Sequence, residues 1–303
     1  MGILLALLAY FIWACTAIYW KFFPGHAALE LVAHRVFWTL LWLLPLLAAR
    51  GKLGELWASL RSRQGWLICG IDGLLVVVNW LVYVWAISQD RILDTSLGYF
   101  LSPLLSIALA SIFEQERLTR VQMTSVGCAV VGVGVMAWHS GSLPRDSLLI
   151  ALTWGIYSLV KRRTRLGPVT SLSHEVIATL PLALAGLGYW YAQGDSMMND
   201  APASTWLWLV STGFITALPL LLYAEAAKRV SLTSLGLYQY VVPTVSMLIA
   251  VFMFHEPFPP YKQLAFGFIW AGLALYSADR IRAARRPQRA NLVDKTRSEE
   301  LPQ

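Results

Sequence analysis

Residues 83–137 read YVWAISQDRILDTSLGYFLSPLLSIALASIFEQERLTRVQMTSVGCAVVGVGVMA, and residues 223–277, 140 positions later, repeat their punctuation. Tyr83 falls on Tyr223, Pro103 on Pro243, Ser106 on Ser246, Glu116 on Glu256, Gly127 on Gly267 and Gly132 on Gly272, with no gap. Only nine of the 55 positions are identical, so the signal lies in the kind of residue that is kept. Proline bends a helix, glycine lets two helices touch and a boundary carboxylate controls a helix end. Their shared register therefore speaks for a duplicated architecture rather than a shared apolar bias.

The rest of the chain sets this repeat in a bilayer. Of 303 residues 57% are hydrophobic and 14% charged, with a mean hydropathy of +0.57, far more apolar than a soluble chain of this length. The apolar residues come in runs of roughly 20, the length that crosses the hydrocarbon core. Ten spans are predicted, five in each half. They are 2–20, 29–49, 65–88, 93–113 and 119–138, then 148–160, 171–192, 205–227, 232–254 and 261–278. The first run lacks a basic leader region and reads as an uncleaved helix.

Five spans is an odd number, so the second half enters the membrane from the opposite side and the repeats are inverted. The expected fold is thus an all-α membrane protein of ten transmembrane helices in two inverted five-helix repeats. The repeats would occupy 1–138 and 139–282, and the polar tail 283–303 would be disordered and cytoplasmic. Counting Lys and Arg in alternate loops gives 17 on the side of the N-terminus and four on the other. That asymmetry puts both termini in the cytoplasm and accounts for the net charge of +7 without a nucleic-acid partner. The basic segment 51–64, with Leu53, Leu56, Trp57 and Leu60, either lies along the inner surface or is a plain loop. Cys15, Cys69 and Cys128 sit inside apolar runs without metal spacing, so no disulfide framework or metal site is expected.

Polar residues at membrane depth are costly unless they face protein or water, and they mark the candidate site. Asp72, Asn79 and Tyr83 share one face of the third span, and Thr212, Thr216, Pro219 and Tyr223 one face of the eighth. Each set either lines a cavity or packs helices. Arg35 lies about six residues into the second span, where it snorkels, pairs with an acid such as Glu30, or attracts an anionic solute. His34 is placed to relay a proton or to pack, and Glu30, four residues earlier, shares its face. His174 and Glu175, near the inner surface, receive no role.

The fourth and ninth spans carry Tyr99, Ser102 and Pro103 opposite Tyr238, Gln239 and Pro243, and the two prolines form either a paired hinge or static kinks. Trp13 and Trp154 hold matching places, with Tyr157 close by, as candidate aromatic walls. Gly127, Gly132, Gly134, Gly267 and Gly272 suit close packing between halves or between protomers of a homodimer. No phosphate-cradling loop, zinc-protease motif or nucleophile elbow occurs, so neither an enzyme nor a cofactor is expected.

With these residues located, the chain resembles the RarD family, the chloramphenicol-sensitivity-type permeases of the drug/metabolite transporter superfamily, built from EamA-like repeats. The resemblance is carried by Tyr19-Trp20-Lys21, Glu30, Ala33-His34-Arg35, Trp38, Asn79-Trp80, Tyr83, Trp85, Ser96-Leu97-Gly98-Tyr99-Phe100 and Pro103. It continues in Leu235-Gly236, Gln239-Tyr240, Pro243, Glu256-Pro257 and Ala265-Phe266-Gly267-Phe268-Ile269-Trp270. It implies a permease in the bacterial inner membrane that moves small organic metabolites or drugs, and inverted repeats suit alternating access, with a proton or ion as coupling partner. The rival expectation is a receptor or assembly subunit on the same bundle. Two departures stand out. Ser102 replaces an expected Asn, and Gln115 and His255 replace the small residue that precedes each boundary Glu.

Overall fold

The computed structural model describes residues 1–23, 27–115, 117–199 and 202–299, with side chains omitted at 232, 233 and 284–299. Glu116, one of the two boundary carboxylates, therefore lies outside the described residues, as do 300–303 of the tail. All regular structure among the described residues is helical. In order the helices are α1 (Gly2–Trp20), α2 (Ala28–Ala49), α3 (Leu53–Arg61), α4 (Arg63–Ser88), α5 (Ile92–Phe113) and α6 (Arg120–Ser140). The second half contributes α7 (Arg145–Lys161), α8 (Pro168–Gln193), α9 (Ala203–Ala227), α10 (Leu232–Tyr238), α11 (Val241–Leu248) and α12 (Pro260–Glu299).

Eight helical segments are long and apolar enough to cross a membrane: α1, α2, α4, α5, α6, α8, α9 and the stretch Ser234–Met253. The sixth and tenth expected spans fall on α7 and α12, which are outside those eight; α7 has only 17 residues. Large apolar side chains such as Leu67, Val130, Leu182 and Phe252 point outward, while Arg35, Asp72, Asn79 and Glu175 are buried. That arrangement suits a hydrocarbon surround and reverses what water would favour. The chain is a multi-pass membrane protein.

Segment 51–64 contains the short helix α3, which exposes Leu53 and Trp57 and stacks Arg61 over the Trp57 ring at 4.9 Å. The expected ninth span is interrupted. Residues 239 and 240 separate α10 from α11, and a π-helical turn, Ile249–Met253, follows. Pro243 explains the position of the break, because its ring conflicts with the carbonyl four residues earlier, at Gln239. Pro103, its counterpart, sits inside the unbroken α5. At the other end of the chain, α12 runs on to Glu299, into the polar tail for which disorder is expected.

The tightest helix pairings all join an element of the first half to one of the second: α6 with α12, α5 with α7, α1 with α9, α2 with α8 and α9, and α4 with α7 and α8. The halves share one core rather than folding as two bodies. Glycines permit the closest of these crossings. A Cβ on Gly132 would stand 2.9 Å from the Ala265 carbonyl and one on Gly272 2.7 Å from that of Ser125, so this matched pair sets the α6–α12 contact. A Cβ on Gly127, Gly134 or Gly267 would meet nothing within 4 Å among the described residues, so these three do not set a close crossing there.

The boundary Glu256 also has a visible task. Its two carboxylate oxygens accept the Ile92 and Leu93 amides at 2.6 and 2.8 Å, capping the N-terminus of α5 from the opposite half. Burial pushes this carboxyl up from its ordinary value, while the two amides and Lys262 pull it back. Gln115 and His255, each preceding a boundary Glu, have φ of 54° and 53°, the left-handed conformation that glycine adopts without penalty. The small residue that the resemblance leads one to expect there would relieve this backbone conformation.

Candidate solute cavity

A cavity of about 190 Å³ lies where α1, α2, α4, α5, α7, α9 and the α10–α11 break converge. Seven aromatic side chains line it, among aliphatic and hydroxyl groups. Tyr83 stands edge-on to Tyr99 at 5.8 Å, Tyr99 to Trp154 at 6.2 Å, and Trp154 lies 5.3 Å from Tyr157. Trp13 and Tyr10 close the wall on the α1 side, backed by Tyr223, whose ring is 6.1 Å from each. Such rings offer flat, polarizable faces with a polar edge.

Second-layer hydrogen bonds fix these rings. The Tyr99 hydroxyl donates to Asn79 Oδ1 at 3.0 Å, and the Asn79 amide donates to the Ile150 carbonyl and Thr153 Oγ1 at 3.1 and 2.9 Å. Asn79 therefore stands behind Tyr99 rather than in the wall. The Thr16 and Tyr83 hydroxyls pair at 3.1 Å. Ser102 reaches the wall but donates to the Gly98 carbonyl at 2.9 Å, a local bond within α5.

Arg35 is the cation of this cavity. It neither snorkels nor pairs with Glu30. Its guanidinium carbon lies 3.8 Å over the Trp80 ring and 5.4 Å from that of Trp20, and its Nε donates to Thr216 Oγ1 at 3.0 Å. Thr216 in turn donates to the Thr212 carbonyl. Among the described residues no carboxylate pairs with Arg35. Glu30 is occupied elsewhere, accepting the Ser196 hydroxyl and the Met197 amide at 2.6 and 2.8 Å. A cation stacked on indoles, with its fork open to the cavity, is suited to a carboxylate or another planar anion.

Of the sequence-derived candidates, Trp13, Arg35, Tyr83, Tyr99, Ser102, Trp154, Tyr157, Gln239 and Pro243 meet at this wall. Asn79, Tyr223 and Tyr238 stand behind it, Tyr223 and Tyr238 packing against the Tyr10–Leu235 cluster. His34 is buried with neither ring nitrogen bonded among the described residues, and Asp72 lies deeper, toward α7 and α8. Thr16 and Trp80 line the cavity without having been expected there. A hydroxyl inside an apolar run was a usable sign for Thr16, whereas Trp80 is one of 14 tryptophans and carried none.

The profile of the EamA-like transporter family matches this chain twice, over residues 1–138 and 147–278. The chain belongs to that family. Within it the chain is 35% identical to Protein RarD of Escherichia coli, over 94% of this chain and 96% of that one. It is 37% identical to the uncharacterized transporter YojE of Bacillus subtilis, over 93% and 95%, and 30% identical to the chloramphenicol-sensitive protein RarD of Pseudomonas aeruginosa, over 96% and 98%. It is thus a RarD-type EamA protein, a membrane transporter. A solved structure, described only as the crystal structure of a protein, superposes with a TM-score of 0.58 at 20% identity. It covers 93% of this chain and 98% of that one, and shares the fold alone.

Proposed function

We propose that this EamA protein is a secondary transporter that moves small organic solutes carrying a flat apolar body and one anionic group. The observation that carries the reading is Arg35, a buried cation with no carboxylate partner among the described residues, facing a cavity with seven aromatic side chains in its wall. Ten spans in two inverted repeats, 1–138 and 139–282, with both termini on the cytoplasmic face of a bacterial inner membrane, supply the scaffold. Three features support it: the double family match, the 17-to-4 loop charge and the pairing pattern. The tightest cross-half pairings have counterparts about 140 residues on, α1–α9 with α7–α4 and α2–α9 with α8–α4.

Alternating access follows from a bundle held shut at one end and free to rock about Pro103 and Pro243. The end bearing Asp90 to Asp94 is tied by Lys21–Asp90, by Arg91–Asp146 at 2.8 Å, by Lys262–Asp94 at 3.2 Å and by the Glu256 cap. The test is uptake by proteoliposomes of benzoate, phenylacetate and indole-3-acetate against the corresponding amides. Chloramphenicol, which occurs in the name of one relative, serves as an uncharged aromatic probe. Carboxylate uptake that Arg35→Gln abolishes is expected; uptake indifferent to Arg35, or confined to the uncharged compounds, would remove the anion from the proposal.

A further inference from the structure

Below the cavity, on the side of α7 and α8, lies a second polar site that the solute does not need. Glu175 on α8 is fully buried. Its Oε1 is held by the Lys161 ammonium and by the Ser171 hydroxyl at 2.8 Å, and its Oε2 accepts the Tyr157 hydroxyl at 3.3 Å. Lys161 also reaches Ser171 Oγ at 2.7 Å. This ion pair is complete in itself, one ammonium against one carboxylate.

Asp72 on α4 breaks the balance. It too is fully buried, and neither of its carboxylate oxygens has a hydrogen-bond partner among the described residues. Its neighbour Gly73 explains the enclosure. A Cβ there would stand 2.6 Å from the Glu175 carbonyl oxygen and 3.1 Å from Thr179 Cγ2, so α8 lies directly against α4 at this level. The groups that bear on Asp72 are Glu175, Lys161, Tyr157 and, on its own helix, Cys69. The other neighbours of α4 present their polar groups elsewhere: Arg35 of α2 at Trp80, Thr16 of α1 at Tyr83, Tyr99 of α5 at Asn79, and Ser59 of α3 at His174.

We infer that Asp72 is the site at which a coupling proton binds, with the Lys161–Glu175 pair as its counter-charge and Tyr157 as its link to the cavity. A second carboxylate ion here would lack both a hydrogen bond and a free cation, which its burial penalises. One proton added to Asp72 removes that charge. When the proton leaves, the single ammonium of Lys161 must serve two carboxylates, so it shifts toward Asp72 and loosens its hold on Glu175. Tyr157 follows, because its hydroxyl rests on Glu175 while its ring forms part of the solute wall. Proton occupancy and cavity shape are thereby tied. A metal cation fits less well, since the ammonium already inside the site repels it.

The inference rests on the transporter reading and is tested so that the two can fail separately. Infrared spectra of the full chain in proteoliposomes at neutral pH are expected to show the C=O stretch of a protonated carboxyl, lost in Asp72→Asn and retained in Asp72→Glu. Absence of this band from the wild type, or its survival in Asp72→Asn, overturns the assignment. Coupling is read with a pH-sensitive dye inside the vesicles while indole-3-acetate, phenylacetate or benzoate is added outside. A solute-dependent pH change that Asp72→Asn abolishes, with solute still moving down its own gradient, is expected. Wild-type uptake without any pH change overturns the coupling alone. No uptake by the wild type of any of the three overturns the transporter reading and the coupling with it.

Discussion

Arg35 on α2 and Glu175 on α8 stand 140 residues apart, each one residue after a histidine, yet they live in opposite circumstances. Arg35 meets indoles and a threonine and has no carboxylate partner among the described residues. Glu175 is wrapped by Lys161, Ser171 and Tyr157. The surroundings explain the divergence. Lys161 has its counterpart in Lys21, which is engaged by Asp90, and Asp72 has its counterpart in Thr212, which carries no charge. One copy of the duplicated site has been left electrically open and the other closed. A carrier built from two like halves therefore need not divide its labour evenly: a charge kept unanswered is available to cargo, whereas one that is answered is available to the machine itself.

The largest effect expected from this contrast is on stability. Glu175→Gln deprives the partly exposed Lys161 ammonium of the carboxylate that holds it, leaving only the Asp72 carboxyl to turn to, and should cost about 1.5–3 kcal/mol, seen as a lower thermal unfolding midpoint in detergent, with Glu175→Met and Lys161→Met together recovering most of it. Arg35→Gln, which removes a charge that has no counter-ion among the described residues, should leave the midpoint unchanged or higher. An equal loss in both variants would break the contrast. Next come the matched glycines. Gly73→Ala presses on the backbone of α8 and Gly213→Ala on the Trp38 carbonyl of α2, and each should lower stability by about 1–3 kcal/mol. Like losses at the two would sharpen the view that the scaffold is symmetric where the charges are not.

A smaller effect is expected at Thr216→Val, which deprives Arg35 Nε of its acceptor and lets the guanidinium tilt. The loss of about 1 kcal/mol should appear as a roughly fivefold rise in the KM for carboxylate uptake, with kcat little changed. Smallest of all, His255→Gly relieves a left-handed backbone next to the Glu256 cap and should raise stability by less than about 1 kcal/mol. A loss on that substitution would mean that the imidazole has a role beyond its backbone.

Much of the fold could be read from residue pattern, because apolar run length and the register of Pro, Gly and Glu act locally. Gly132 and Gly272 do lie at one crossing, and Glu256 does hold a helix end. The interruption at Gln239 and Tyr240 was less legible, since Pro103 and Pro243 look alike in sequence and only their surroundings decide which helix yields. In the site, the aromatic wall and Arg35 were legible as polar or bulky residues at depth. The sequence left Asn79 between cavity lining and helix packing, because its partners Ile150 and Thr153 lie in the other half. Glu175 was passed over for a similar reason. Near a membrane surface a charge is cheap, and nothing in the local sequence shows that α4 and α7 cover it.

The crossing of the halves has a consequence for how the chain is made. During synthesis the first five long helices leave the ribosome before any of their closest neighbours exist. Until α7 arrives, the Asn79 amide has no Ile150 carbonyl to meet, and until the turn at Glu256 is complete the first amides of α5 lack their cap. A half-made chain would therefore stand in the membrane with these polar groups unpaired. The same geometry means that residues 1–138 and 139–303, expressed as separate polypeptides, should each be short-lived alone and persist when made together.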